Sequence, residues 1–130
     1  MTTRIAIAVA RACLPLLLCI GTRPAAAQGW IGLLKNTPAE QFDDEDLRLF
    51  MDASRRALDE TPERGTVSWE NPATKSRGEV TVLSIFTWET HACRRLKVAN
   101  QARGRKSSHV ISLCRIDDRW RVVNASQLSG

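Results

Sequence analysis

Tyrosine is absent from this sequence, and histidine occurs only twice. Tyrosine-based catalysis is therefore excluded, and a conventional multi-ligand metal centre has few donors to draw on. No acidic residue precedes Glu40, and the one long apolar stretch is well short of the roughly 20 residues that span a bilayer. Repeats and low-complexity tracts are missing as well. What remains is an ordinary globular balance, 43% apolar and 25% charged over 130 residues, which fits one domain and argues against wholesale disorder.

The N-terminus has the order of a secretory signal peptide. Arg4 and Arg11 precede an apolar stretch from Ala12 to Ile20, and Pro24 and Ala25-Ala26-Ala27 follow. The expected cut lies between Ala27 and Gln28. Cys19 follows Leu16-Leu17-Leu18 and superficially resembles a lipoprotein site. The residue before a lipidated cysteine is normally small, however, and Leu18 is not, so the alanine site is the better cut. The expected organisation is a signal peptide over residues 1–27, a tether over 28–41 with Trp30 and Leu33 docking on the body, and one domain over 42–130.

Removing the leader changes the charge. It holds Arg4, Arg11 and Arg23 and no acid, so the formal +5 of the whole chain falls to +2. A near-neutral exported chain gives no argument for nucleic acid. The remaining charge is unevenly placed: the part before Arg64 is acidic and the part from Arg64 onward is basic.

Thr37-Pro38-Ala39-Glu40 has the form of a capping box with proline at the first helical position. Asp43-Asp44-Glu45-Asp46 then places negative charge where a helix dipole favours it. Leu47, Phe50, Met51, Ser54 and Leu58 fall at the spacing of one apolar stripe, and Pro62 stops the run. The spacing predicts a helix over about 43–60, docked beside Trp69 and Trp120. From Gly65 the pattern turns to β. Strands are expected over 66–69, 79–88, 92–98, 109–115 and 120–123, with a turn from Asn71-Pro72 to near Gly78 and a polar, basic loop over 100–108. Short connections between short strands imply an antiparallel meander, on which the helix must bury its stripe. The expected fold class is α+β, one amphipathic helix on a sheet of about five strands.

Cleavage would also remove Cys13 and Cys19, leaving Cys93 and Cys114. Two cysteines in a small exported chain are most simply one disulfide, here joining the third and fourth strands. Strand parity puts Cys93 on the same face as Arg95 and Lys97, so the bridge is expected away from the main core. His91 and His109 each lie near a cysteine, but His109 and Cys114 have opposite parity, and separately solvated histidines are the simpler reading. No metal site and no cofactor is expected. The acids at 43–46 lack the alternating ligands and central glycine of a calcium loop. Ser84, Ser107, Ser108 and Ser112 carry no nucleophile motif, and no enzyme activity is expected.

Several of these residues, in order, resemble a known family. The run Trp69-Glu70-Asn71-Pro72, then Gly78-Glu79-Val80-Thr81, Cys93-Arg94, Cys114-Arg115 and Asp117-Asp118-Arg119-Trp120 is similar to the surface antigen domain of rickettsial outer-membrane antigens. The likeness covers about residues 42–124. It implies an exported, non-enzymatic protein of the cell envelope, in the periplasm or peripheral to the outer membrane or cell surface, with a structural or adhesive role. Two features depart from the family pattern. Asp117-Asp118 stands where the family has Asp-Gly, which points to a different turn type. A lipidated cysteine and a glycine-zipper segment are also lacking.

The residues themselves add an alternative. Arg94, Arg95, Lys97, Arg103, Arg105 and Lys106, with Arg115, Arg119 and Arg121 further on, are expected to gather beside the 100–108 loop. An exported protein meets anionic lipid, lipopolysaccharide and peptidoglycan, and a basic face attracts each of them. The second expectation is thus a periplasmic binding or inhibitor module with an anionic envelope partner. A solvated face that pairs with the acidic helix is the plainer reading of the same charges.

Overall fold

A computed structural model of the protein describes residues 34–129. The expected leader, Cys19 and the docking of Trp30 and Leu33 lie outside these residues. A 3-10 turn, Pro38–Gln41, precedes the main helix α1, Asp44–Asp59. Five strands follow, β1 Thr66–Glu70, β2 Arg77–Trp88, β3 His91–Ala102, β4 Arg105–Ile116 and β5 Arg119–Val123, and a short helix α2, Ala125–Leu128, ends the described chain. The strands form one antiparallel sheet in the order β1-β2-β3-β4-β5. The expected α+β fold, one main helix on a five-stranded meander, is the fold observed.

Alternation along the strands divides the sheet into two faces. Val67, Trp69, Val80, Val82, Leu96, Val98 and Leu113 point toward α1 and meet Phe50, Ala53, Ala57 and Leu58 from the helix. Phe50 has no exposed surface, and removing so buried a ring typically costs about 3–5 kcal/mol. Trp69 stands edge-on to Phe42, with ring centroids 5.1 Å apart. Residues expected to belong to a tether are part of this packing: Thr37, Pro38 and Ala39 are buried, and Leu34 rests against the core.

The helix lies rotated from the expected stripe. Phe50 and Leu58 are buried and Met51 packs at the margin, but Leu47 is 37% exposed. Ala53 and Ala57 on the other flank take its place, because small side chains let the helix backbone approach the sheet.

One hairpin differs from expectation. The segment 100–108 is not a loop. β3 runs to Ala102, β4 starts at Arg105, and only Arg103 and Gly104 turn the chain. Both have positive φ, 49° and 77°, as a two-residue type I′ turn requires. Asn100 and Ala102 keep the alternation by turning inward, while the charged and hydroxyl residues hide it from an apolar pattern. At Asp117-Asp118 both residues again have positive φ, 52° and 60°. These two residues therefore meet the backbone requirement of a two-residue type I′ turn. A short polar side chain tolerates the left-handed region better than most.

Gly78 serves a different purpose. A Cβ there would lie 2.2 Å from Asn100 Oδ1 and 2.5 Å from Trp69 Nε1. Its strand neighbours lean over it from both sides, and only glycine leaves them room.

α1 is held at both ends. At its start, Asp43 and Asp46 cap each other reciprocally: Asp46 N–H donates to Asp43 Oδ1 at 2.8 Å and Asp43 N–H to Asp46 Oδ2 at 3.1 Å. Asp46 is also 1% exposed, and its other oxygen accepts from Asn71 Nδ2 at 2.7 Å and Thr74 Oγ1 at 2.6 Å. The helix start is thereby fastened to the β1–β2 turn. At its end, Trp120 Nε1 donates to Asp59 Oδ1 at 3.0 Å, and Arg94 donates to the carbonyls of Ala57 and Thr61.

Burial alone would raise the pKa of the Asp46 carboxyl. The hydrogen bonds from Thr74, Asn71, the Asp43 backbone and Ser76 outweigh it, and the carboxyl is held below the usual range. A depressed folded-state pKa adds stability that is present above the unfolded value of about 4 and is lost as pH falls through the folded value. Asp46→Asn is therefore expected to lower stability by about 1–3 kcal/mol at pH 7, with a smaller deficit at pH 3. Urea unfolding at the two pH values measures this, and an equal deficit at both would contradict it.

Candidate functional site

The second face of the sheet, away from α1, carries the surface of interest. At the β5 end it has a small cluster of its own. Cys93, Cys114 and Val123 are buried there, with Phe86, Trp88, Ile116 and Leu128 packed around them. Leu128 comes from α2, so the last helix covers this corner. Cys93 and Cys114 are direct cross-strand partners on β3 and β4 and form a disulfide with Cα atoms 4.0 Å apart. The bond lies outside the main core, as strand parity predicts. It is nonetheless fully buried, because the chain's last elements close over it. Both sulfurs are consumed by the bond, so neither can serve as a thiolate ligand. His91 stacks near Trp88, with ring centroids 6.2 Å apart, while His109 opposes Val98 on the helix side. Among the described residues no three His, Cys, Asp or Glu side chains are placed to hold a metal ion.

The basic residues expected to form one patch are divided by the sheet. Arg95, Lys97 and Lys106 project from the face away from α1, and all three are exposed. Arg94 points the other way and is committed to the carboxyl end of α1. There it satisfies carbonyls that the helix leaves open and places a cation at the negative end of the dipole. Arg103 sits at the hairpin tip. Arg105 pairs with the inward-facing Ala102 and so belongs to the helix side. Of the expected six, three share the open face.

Strand register adds others to that face. Arg77 opposes Gln101, Arg121 opposes Cys114 and Arg119 opposes Ile116. Arg77 falls within the expected β1–β2 turn, but β2 begins at it. Its alternation with Glu79 and Thr81 is the signal that places it on a strand. Against these bases the face carries Glu70 and Glu79. Among the described residues ion pairs occur only along and just past α1, between Arg48 and Glu45, Arg55 and Asp52, and Arg55 and Glu60. The expected pairing of basic face and acidic helix does not form, since the two lie on opposite sides of the sheet.

Away from the cystine corner the open face is concave. A trough of about 780 Å³ crosses β1 to β4. One cross-strand row in it runs Ser68, Glu79, Ala99 and Ser108, and the small side chains of Ser68, Ala99 and Ser108 leave it open. Longer ones stand around it, and Arg77 is steadied by two hydrogen bonds to Gln101 Oε1, each 3.2 Å. A second recess of about 200 Å³ lies on the helix side, between Leu34, Phe50, Val98 and Ile111. Its lining is mainly apolar, with Thr37, Asn100, Ser107 and His109 also on it. The trough is the larger feature and the one that gathers polar and charged groups, and it is the candidate site.

No protein-family model matches the chain, and neither a curated protein nor a solved structure matches it.

Thiol titration of the denatured, unreduced chain lacking residues 1–27 is expected to find no free thiol. Reduction is expected to lower stability by roughly 3 kcal/mol, the chain-entropy value for a loop of this length. Two free thiols before reduction would contradict the assignment.

Proposed function

We propose that this protein is exported and works in the cell envelope without catalysis, as a surface-antigen-type domain whose sheet face away from α1 binds an anionic envelope component. The observation that carries this reading is the composition of the open face. Among the described residues, Arg77, Arg95, Lys97, Lys106, Arg119 and Arg121 share it with two acids, Glu70 and Glu79. A small domain with one helix covers one side of its sheet, and here the uncovered side carries a clear excess of base over acid. Basic surfaces gain about 1 kcal/mol for each Lys or Arg brought near an anionic membrane, less as salt rises. The cystine supports the same reading, because structural disulfides persist in oxidising compartments. The N-terminal order of basic, apolar and small residues supplies the route of export. Anionic lipid, lipopolysaccharide and peptidoglycan are the candidate partners, and a structural or adhesive role follows from attachment to any of them.

The test is co-sedimentation with isolated envelope fractions. The double variant Arg95→Glu, Lys97→Glu alters the open face without touching the core. Its retention is expected to fall at least about tenfold, and retention of the unchanged protein is expected to fall with added salt. Arg103→Glu at the hairpin tip is expected to have a smaller effect. Equal retention of the double variant and the unchanged protein would overturn the reading.

A further inference from the structure

The open face is basic as a whole, but the trough within it is not. Register places Glu70, Arg77, Gln101 and Lys106 side by side in one row across β1 to β4, and Ser68, Glu79, Ala99 and Ser108 in the next. Two carboxylates and two cations thus share a concavity of about 780 Å³. None of these four charges is neutralised by an ion pair among the described residues. Arg77 is held in place by Gln101, yet its neighbour Glu70 does not bridge to it. A surface meant for a polyanion gains nothing from Glu70 and Glu79, which repel it. A ligand that carries both signs uses all four groups.

From these charges we infer that the trough binds a short zwitterionic peptide of the cell wall, with its ammonium group at Glu79 and Glu70 and its carboxylate at Lys106 and Arg77. The inference rests on the envelope reading above and selects peptidoglycan among the anionic partners. Its stem peptides carry free ammonium and carboxylate groups on one short chain, whereas phosphate-rich lipid surfaces are dominated by one sign. The size agrees. Three inter-strand steps of about 4.8 Å span about 14 Å from β1 to β4, the length of about four extended residues. Ala99 at the centre leaves depth for the peptide backbone, and the hydroxyls of Ser68 and Ser108 line its path.

Binding of purified, solubilised cell-wall fragments and of phosphatidylglycerol vesicles to the chain lacking residues 1–27 tests this through the sign of one effect. Lys106→Gln weakens binding to a polyanion and to a zwitterion alike. Glu79→Gln separates them: a zwitterionic ligand loses a partner and binds about tenfold more weakly, whereas a polyanion loses a repulsion and binds more tightly. Both residues are exposed, and thermal melts confirm that the variants fold. Ala99→Phe, which fills the trough without changing its charge, is expected to abolish fragment binding. It leaves vesicle binding in place. Weaker fragment binding by Glu79→Gln together with blockage by Ala99→Phe supports the inference. Tighter fragment binding by Glu79→Gln overturns it while leaving a basic face for polyanions intact. Binding of neither fragments nor vesicles overturns both.

Discussion

Asp46 occupies the point where the start of α1 meets the β1–β2 turn. One of its oxygens closes the first turn of α1 by accepting the Asp43 N–H, and the other accepts from Asn71 and Thr74 in the β1–β2 turn. A carboxylate with 1% of its surface exposed is costly to bury unless its lone pairs are filled. Here every donor that fills them also sets geometry. Asn71 folds its own turn by accepting the Ala73 N–H at 3.1 Å, and Trp69, two residues earlier, packs against Phe42 and Phe50. The Trp-x-Asn-Pro segment is therefore a structural joint between helix and sheet. At the opposite end of α1, Arg94 and Trp120 complete the attachment from β3 and β5.

This two-ended attachment decides what the other face is free to do. With α1 pinned on one side, all of the main core lies there, and the cation with the strongest structural commitment, Arg94, lies there too. On the far side only the cystine corner is closed, by α2 and the aromatic side chains of β2. The remaining rows face solvent with their charges unpaired. The disulfide ties β3 to β4 directly beneath that closed corner, so the register that aligns the rows of the trough is fixed by a covalent bond at one end and a tight Arg103-Gly104 turn at the other.

Much of this was legible in the amino-acid order, and the exceptions share a cause. The acidic helix start, the stop before Pro62, the number and order of the five strands and the cystine each rest on local pattern or parity, and each appears in the fold. The segment 100–108 reads as a loop because its strand identity comes from cross-strand pairing, Ala99 with Ser108 and Gln101 with Lys106, in residues without apolar alternation. Leu47 falls on the stripe by spacing because periodicity counts apolar residues. It does not weigh the closer approach that Ala53 and Ala57 allow. Asp46 looked like one more acid at a helix start, and nothing local reveals the Asn71 and Thr74 donors some 25 residues later. The same limit hid the trough. Its rows combine four strands, and no single strand displays the alternation of charge sign that the sheet creates.

The central claim is a division of labour between the two faces, one given to structure and the other to binding. Backbone amide chemical shifts followed by NMR during titration with solubilised cell-wall fragments test it residue by residue. The account predicts that the perturbed amides cluster at Glu79, Lys97, Ala99, Gln101 and Ser108, with α1 unmoved from Asp44 to Asp59. Perturbations confined to α1 and the Asn71–Ser76 turn, with the open face silent, would contradict it.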